Sequence, residues 1–424
     1  MDTTLATEDT TQKILLVSDA FLFQAAYVNQ VNCQHTLIRE LPCAIHAEYG
    51  MVSLAQRHAC TEGTREEILA KLMTWATQVT STKVYWLTRM AGTGKTTIAY
   101  TFSEILDKNQ MLGATFFCSH QEHETSNTDL IFSTLAYQLA QHFPLVSQAL
   151  VNILQKDPRA GFRIMHRQFT DLIMEPAKAA FSHSGAKSVV IVIDALDECI
   201  NQRAVADMLS IISQYAAGLP LKFFITSRPE QQIRKKFNQS KFEPHSRFVL
   251  HEVEEDVVDA DIEIYLRSRF KEIADESDKE VSADAWPSNE QLAILVHLAD
   301  KLFIYAATVC EYVAGGGSIE KHLEVATKAS TNTLNGKTET LDNLYSHILD
   351  AAYKAADTHE KLHIKKVLQV VIYASNPLSV GAICILLSST SKDVLDSKGV
   401  THIATTPDAE GSAQDPNNPS TYTG

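Results

Sequence analysis

The alternation of apolar and polar positions divides the chain into two regimes. Ile68, Leu69, Leu72 and Trp75 recur at helical spacing behind Glu66 and Glu67; the spacing predicts a helix over 64–77 with an acidic, dipole-matched first turn. Val84 to Leu87 reads as a short buried strand, and after a Gly-rich turn Ile98, Phe102, Ile105 and Leu106 mark one face of a helix. Gly113 to Cys118 predicts a second strand, and Leu130, Ile131, Leu135 and Leu139 stripe the helix after it. Val189 to Ile193 is wholly apolar and β-branched, the pattern of a strand covered on both faces of a parallel sheet. Met208, Ile211, Ile212 and Tyr215 give another helix, and Leu221 to Thr226 another strand. Strand and helix alternate, which predicts an α/β fold: a doubly wound parallel sheet with helices on both faces.

Beyond about residue 235 the strand pattern fades. Helices are expected at Asp261 to Phe270, Asn289 to Val313, Thr340 to Lys354, Glu360 to Tyr373 and Val380 to Leu387. The acidic run Glu252, Glu254, Glu255, Asp256, Asp259 and Asp261 reads as a solvated helix start favoured by the dipole. Ala314 to Gly317 and the polar stretch Thr327 to Thr338 read as hinges or linkers. The first 45 residues carry one apolar stretch, Ile14 to Val28, and residues 389–424 are too polar to bury a core and are expected to be disordered. The expected division is an N-terminal segment 1–45, a linker helix region 46–83, an α/β domain 84–235, a helical domain 236–330, a further helical segment 331–388 and a tail 389–424. No internal repeat is visible.

Charge narrows the function classes. The 424 residues include 37 Lys and Arg against 51 Asp and Glu, a net charge of −14. That balance argues against a nucleic-acid grip or a polybasic membrane anchor, either of which needs clustered positive charge. No apolar run reaches the roughly 18–20 residues of a membrane span, and the N-terminus lacks the basic-then-apolar plan of a secretory signal. A cytoplasmic location is expected. The seven cysteines are scattered, with no CxxC pair, which suits reduced, mostly buried thiols. Cys118, His120 and His123 invite a metal reading, but they lie where a strand runs out into a polar loop without a fourth ligand at zinc-like spacing.

Three segments carry chemistry. Ala91-Gly92-Thr93-Gly94-Lys95-Thr96-Thr97 lies between a strand and a helix. Gly92 and Gly94 let backbone N–H groups wrap a phosphate, and the new helix points its positive end at it. Lys95 is expected to reach the β- and γ-phosphates, and Thr96 to ligate Mg²⁺. Arg89 stands where the usual pattern has its first glycine. The second segment, Val189 to Glu198, ends an apolar strand in Asp194, a candidate Mg²⁺ ligand, with Asp197 or Glu198 placed to orient an attacking water. The third, Phe223 to Pro229, ends a buried strand in Arg228, a candidate γ-phosphate sensor.

Together these motifs resemble the NACHT domain of fungal NLR-like signal-transducing NTPases, also described as nephrocystin-like N-terminal P-loop domains. Supporting stretches lie at 41–44, 60–69, 114–119, 130–144, 250–262, 302–313 and 376–387, in the family's order. The resemblance implies a nucleotide-binding domain, an all-α helical domain and a partial winged helix over 331–388. It also implies ATP or GTP with Mg²⁺ as ligand, and a contact of Thr64 and Arg65 with the base and ribose. His120 and Lys301 stand where the family commonly has arginine and glycine. The expected function is a nucleotide switch, slowly hydrolytic, that alters self-association or the docking of protein partners. The alternatives are a non-catalytic scaffold or truncated family member that retains nucleotide, and a metabolic kinase, for which no acceptor pocket is suggested.

Overall fold

The computed structural model describes residues 36–53, 57–79, 81–181, 188–239, 247–249, 255–276, 286–315, 318–328, 337–374, 378 and 380–389. The apolar stretch 14–28, the linker 329–336 and residues 390–424 of the polar tail lie outside them. By compactness the chain falls into two units, Met1–Ala351 and Ala352–Gly424.

Five parallel strands form one sheet in the order β2-β3-β4-β1-β5: β1 (Val84–Thr88), β2 (Leu112–Phe117), β3 (Val189–Asp194), β4 (Leu221–Ser227) and β5 (Arg247–Val249). Helix α1 (Glu66–Thr77) precedes β1 and α2 (Lys95–Lys108) follows it. Helices α3 (Ile131–His142) and α4 (Pro144–Lys156), then a run of α5 (Met165–Gln168), a π-helical segment (Phe169–Met174) and α6 (Glu175–Phe181), lie in the long connection between β2 and β3. Helices α7 (Gln202–Tyr215) and α8 (Gln231–Gln239) flank β4 in sequence.

The sheet is doubly wound for the reason the pattern gives. Alternate side chains of each strand point to opposite faces, and both faces are apolar. Trp86, Phe116, Ile191, Ile193, Phe223 and Ile225 pack with Phe132, Leu135, Phe169 and Ile212 on one side. Leu87, Phe117, Val190, Val192 and Phe224 pack with Ile68, Leu72, Ile98 and Phe102 on the other. Each fully buried side chain of this kind contributes about 1.5–3 kcal/mol. Trp86 also stacks on Phe237 of α8, with centroids 4.1 Å apart.

Lys222, in β4, is buried and donates to the carbonyls of Trp75 (2.6 Å), Ala76 (3.0 Å) and Gln78 (2.6 Å) and to the Ser81 hydroxyl (2.7 Å). It therefore closes the C-terminus of α1, where unpaired carbonyls and the helix dipole favour a cation.

After Val249 the regular structure of the described residues is helical: α9 (Glu255–Glu276), α10 (Asn289–Ala299), α11 (Phe303–Ala314), α12 (Ile319–Lys328) and α13 (Lys337–Ala355). Val258, Ile262, Leu266, Phe270, Leu295, Tyr305, Val309 and Leu323 form a core of their own. In the second unit α14 (Thr358–Tyr373) and α15 (Val380–Ser389) follow, and α14 buries no residue fully.

Four expectations need correction. The single helix expected from Asn289 to Val313 is two, because Asp300 (φ 42°) and Lys301 (φ 68°) turn the backbone left-handed between them. Such a conformation costs roughly 1–2 kcal/mol per residue without glycine, and Lys301 occupies the position where the resembled family has one. The helix expected from Asp261 begins at Glu255. Asp261 is not solvated; it is 7% exposed and faces Arg65. The strand pattern also does not end at residue 235, since β5 pairs with β1 in the register Trp86 to Arg247.

Candidate functional site

The strand order puts the C-terminal ends of β1, β4 and β3 side by side, with Thr88 level with Ser227 and Ile193 with Ile225. The three sequence motifs follow these three strands, so they converge on one rim of the sheet. Open α/β sheets bind ligands at such rims.

The loop after β1 turns through Gly92 (φ 77°) and Gly94 (φ 82°), and Gly94 is the N-cap of α2. Lys95 Nζ donates to the carbonyls of Arg89 (2.9 Å) and Met90 (3.0 Å). Burial lowers its pKa, opposed by the nearby carboxylates of Asp197 and Asp194.

At the end of β3, Asp194 is 1% exposed. Its Oδ1 accepts from the Thr226 hydroxyl, whose oxygen in turn accepts from the Ala195 N–H at 2.9 Å. Among the described residues Oδ2 is buried with no hydrogen-bond partner. Burial raises the Asp194 pKa to about 6, against the opposing pull of Thr226, Thr96 and Lys95. A buried carboxylate oxygen without a donor, beside the Thr96 hydroxyl, is a donor set that suits a hard, oxygen-seeking cation. Ala195 takes a left-handed conformation (φ 53°), which turns the chain sharply into the short helix Leu196–Glu198.

Asp197 receives the Arg228 backbone N–H on Oδ1 (2.8 Å) and lies 3.2 Å from Arg228 Nε through Oδ2. Glu198 Oε2 accepts the backbone N–H of His120 at 3.3 Å. Beneath them the thiols of Cys118 and Cys199 lie 3.4 Å apart, and burial pushes the Cys118 pKa well above its usual value.

A cavity of about 380 Å³ collects these groups. Thr64, Arg65, Gly92 to Thr97, Asp197, Glu198 and Arg228 line it; Asp194 lies buried behind the wall. Every candidate site residue read from the sequence is therefore at this cavity or directly beneath it.

The sequence reading missed the opposite wall. Tyr265 of α9, together with Phe303, Ile304 and Ala307 of α11, lines the cavity along with the glycine loop, and so do His58 to Thr61. The Ile304 N–H donates to the Gly92 carbonyl at 3.0 Å. The stretch 302–313 was visible as a motif, but its packing against a loop 210 residues earlier was not.

Strand order, glycine loop and acidic strand end define a P-loop NTPase fold: an α/β sheet followed by helices. Within it, residues 63–228 match the family model described as Nephrocystin 3, N-terminal, so this segment is similar to a nephrocystin-like P-loop domain. The match spans the first two motifs and the third as far as Arg228. Among solved structures the chain is similar to a Walker-type ATPase of Pyrococcus abyssi, at 12% identity and TM-score 0.42, covering 81% of this chain and 89% of that one. It is similar to the ORC1 protein of Aeropyrum pernix in complex with DNA, at 15% identity and TM-score 0.35, covering 80% and 79%. A third likeness is to AMPPCP-bound DnaA from Aquifex aeolicus, at 12% identity and TM-score 0.33, covering 78% and 89%. These overall likenesses are loose, and the functional reading stands on the chain's own residues. No curated protein matches the sequence.

Proposed function

We propose that this chain is a nucleotide-dependent switch that binds ATP or GTP with Mg²⁺ at the rim cavity and hydrolyses it slowly. The observation that carries this reading is the shared cavity: the loop from Gly92 to Thr97 with Lys95, the acidic pair Asp197 and Glu198, and Arg228 all line one space. In this reading the loop from Gly92 to Thr97 wraps the phosphates, and Lys95 exchanges its two loop carbonyls for β- and γ-phosphate oxygens. Thr96 and Asp194 would hold the Mg²⁺, which when bound offsets phosphate charge. Glu198 and Asp197 orient water for attack on the γ-phosphorus, and Arg228 meets the γ-phosphate. Thr64, which also lines the cavity, would meet the base and ribose, as the resemblance implies.

The switch follows from the far wall. Contacts from Lys95 and Arg228 to the γ-phosphate exist in one nucleotide state only, and differential contacts alone bias a conformational equilibrium. Helix α11 rests on the phosphate loop, so the helices are the element to be biased. Domain limits of 84–235 for the nucleotide-binding part and 236–330 for the helical part, and NACHT-type signalling through self-association or protein partners, rest on the motif order. The test is Lys95→Ala, measured with a fluorescent ATP analogue and its GTP counterpart: both affinities are expected to vanish, and wild-type affinity in the variant refutes the site.

A further inference from the structure

Arg65 joins three parts of the chain that are far apart in sequence. It sits at the N-cap of α1 with φ 61° and is 5% exposed. Its backbone N–H donates to Asp261 Oδ2 at 3.2 Å, and its Nε lies 3.8 Å from the same oxygen. Nη2 donates to the Thr93 carbonyl at 2.9 Å. The guanidinium carbon lies 4.3 Å from the centre of the Phe303 ring, a cation–π distance. The glycine loop, α9 and α11 thus all meet at one residue: the loop by a guanidinium hydrogen bond, α9 by a backbone hydrogen bond and an ion pair, and α11 by a ring contact.

The identity of the loop acceptor matters. A trans peptide is planar, so its C=O and N–H point in opposite directions. The Thr93 carbonyl belongs to the same peptide as the Gly94 N–H, and the Gly92 carbonyl to the same peptide as the Thr93 N–H. Arg65 holds the first carbonyl and the Ile304 N–H holds the second. Both carbonyls are drawn toward the helical side, which aims the two N–H groups the other way. Such N–H groups are the donors a phosphate loop offers.

Resting on the nucleotide reading given above, we propose that Arg65 is a positioning residue, not a ligand of the base: it orients the Thr93–Gly94 peptide toward phosphate and ties that orientation to α9 and α11 through Asp261 and Phe303. Phosphate occupancy and helical packing then bias one another by the same free energy, as linkage requires. A lysine does not replace Arg65, because the contact to Asp261, the Thr93 carbonyl and the Phe303 face together needs a planar, forked cation.

The experiment uses the full chain and compares the triphosphate that the wild type binds, ATP or GTP, with its free nucleoside. Arg65→Met, Arg65→Lys and Asp261→Asn are each expected to weaken the triphosphate by about 5-fold or more and to leave nucleoside affinity unchanged. The Arg65→Met and Asp261→Asn double variant is expected to lose less than the product of the single losses. Hydrogen exchange of the wild type is expected to slow over 255–276 and 303–314, as well as at the loop, when the triphosphate binds. An equal loss for nucleoside and triphosphate makes Arg65 a direct ligand and overturns the proposal. So does wild-type triphosphate affinity in Asp261→Asn, or wild-type exchange that changes only at the loop. The exchange measurement needs no variant and stands if the variants misfold. A wild type that binds no triphosphate removes the site reading itself, a result distinct from these.

Discussion

Adding one carbon at Gly92 tests the contact between the phosphate loop and α11. A Cβ there would lie 2.3 Å from Ile304 Cγ2 and 2.8 Å from Ile304 Cβ, on a backbone with φ 77°. The left-handed conformation costs an alanine about 1–2 kcal/mol, and overpacking of a fixed contact adds about 1–3 kcal/mol. Gly92→Ala is thus expected to destabilise the first unit by roughly 2–5 kcal/mol, or to lift α11 off the loop. The two contributions separate in a cycle with Ile304→Gly, which removes both clashing carbons. Its own helix-propensity cost of about 1 kcal/mol cancels in the coupling energy. The double variant should recover about 1–3 kcal/mol relative to the sum of the singles, while the conformational cost at residue 92 persists. The assay is unfolding of the nucleotide-free chain, followed by near-ultraviolet dichroism, where roughly 2–4 °C of midpoint accompanies each kcal/mol for domains of 150–250 residues. Strictly additive effects would refute the seating of Ile304 on Gly92.

Three further outcomes are expected. Glu198→Gln should retain nucleotide affinity and lose phosphate release, and a wild type without turnover would favour the scaffold reading. Asp194 carries a raised pKa of about 6 against roughly 3.9 unfolded, so between those values the folded state binds the extra proton. Its contribution to the stability of the metal-free chain is therefore full below pH 4 and falls by about 3 kcal/mol as pH rises past 6; Asp194→Asn should flatten that part of the pH–melting profile. An unchanged profile would remove the buried-carboxylate account. Lys222→Met leaves the carbonyls at the end of α1 without their donor and should cost about 3 kcal/mol or more, read as a lowered melting midpoint; a loss under 1 kcal/mol would show that water replaces the ammonium.

Local chemistry was legible in the sequence, and long-range packing was not. The glycine loop, Asp194 and Arg228 each announce themselves because a strand end and a functional residue are neighbours in the chain. β5 escaped notice because three residues carry too little alternation to stand out. The α4 stripe of Val146, Leu150, Val151 and Leu154 is present in the pattern, and it breaks the simple strand–helix alternation on which the reading leaned. The break at Asp300 and Lys301 is hidden because neither residue is the glycine or proline that usually marks one. Asp261 looked like one more exposed acid in a run of them; only folding brings it to an arginine 196 residues away.

The two fastenings of α1 have a mechanical consequence. Twelve helical residues span about 18 Å, and this rod is pinned at its tail by the Lys222 ammonium and at its head by the Arg65 guanidinium. A rod held at both ends transmits thrust and has little freedom to bend or fray. Thr64 and Arg65, which line the cavity just ahead of α1, thereby rest against an abutment braced from the middle of the sheet.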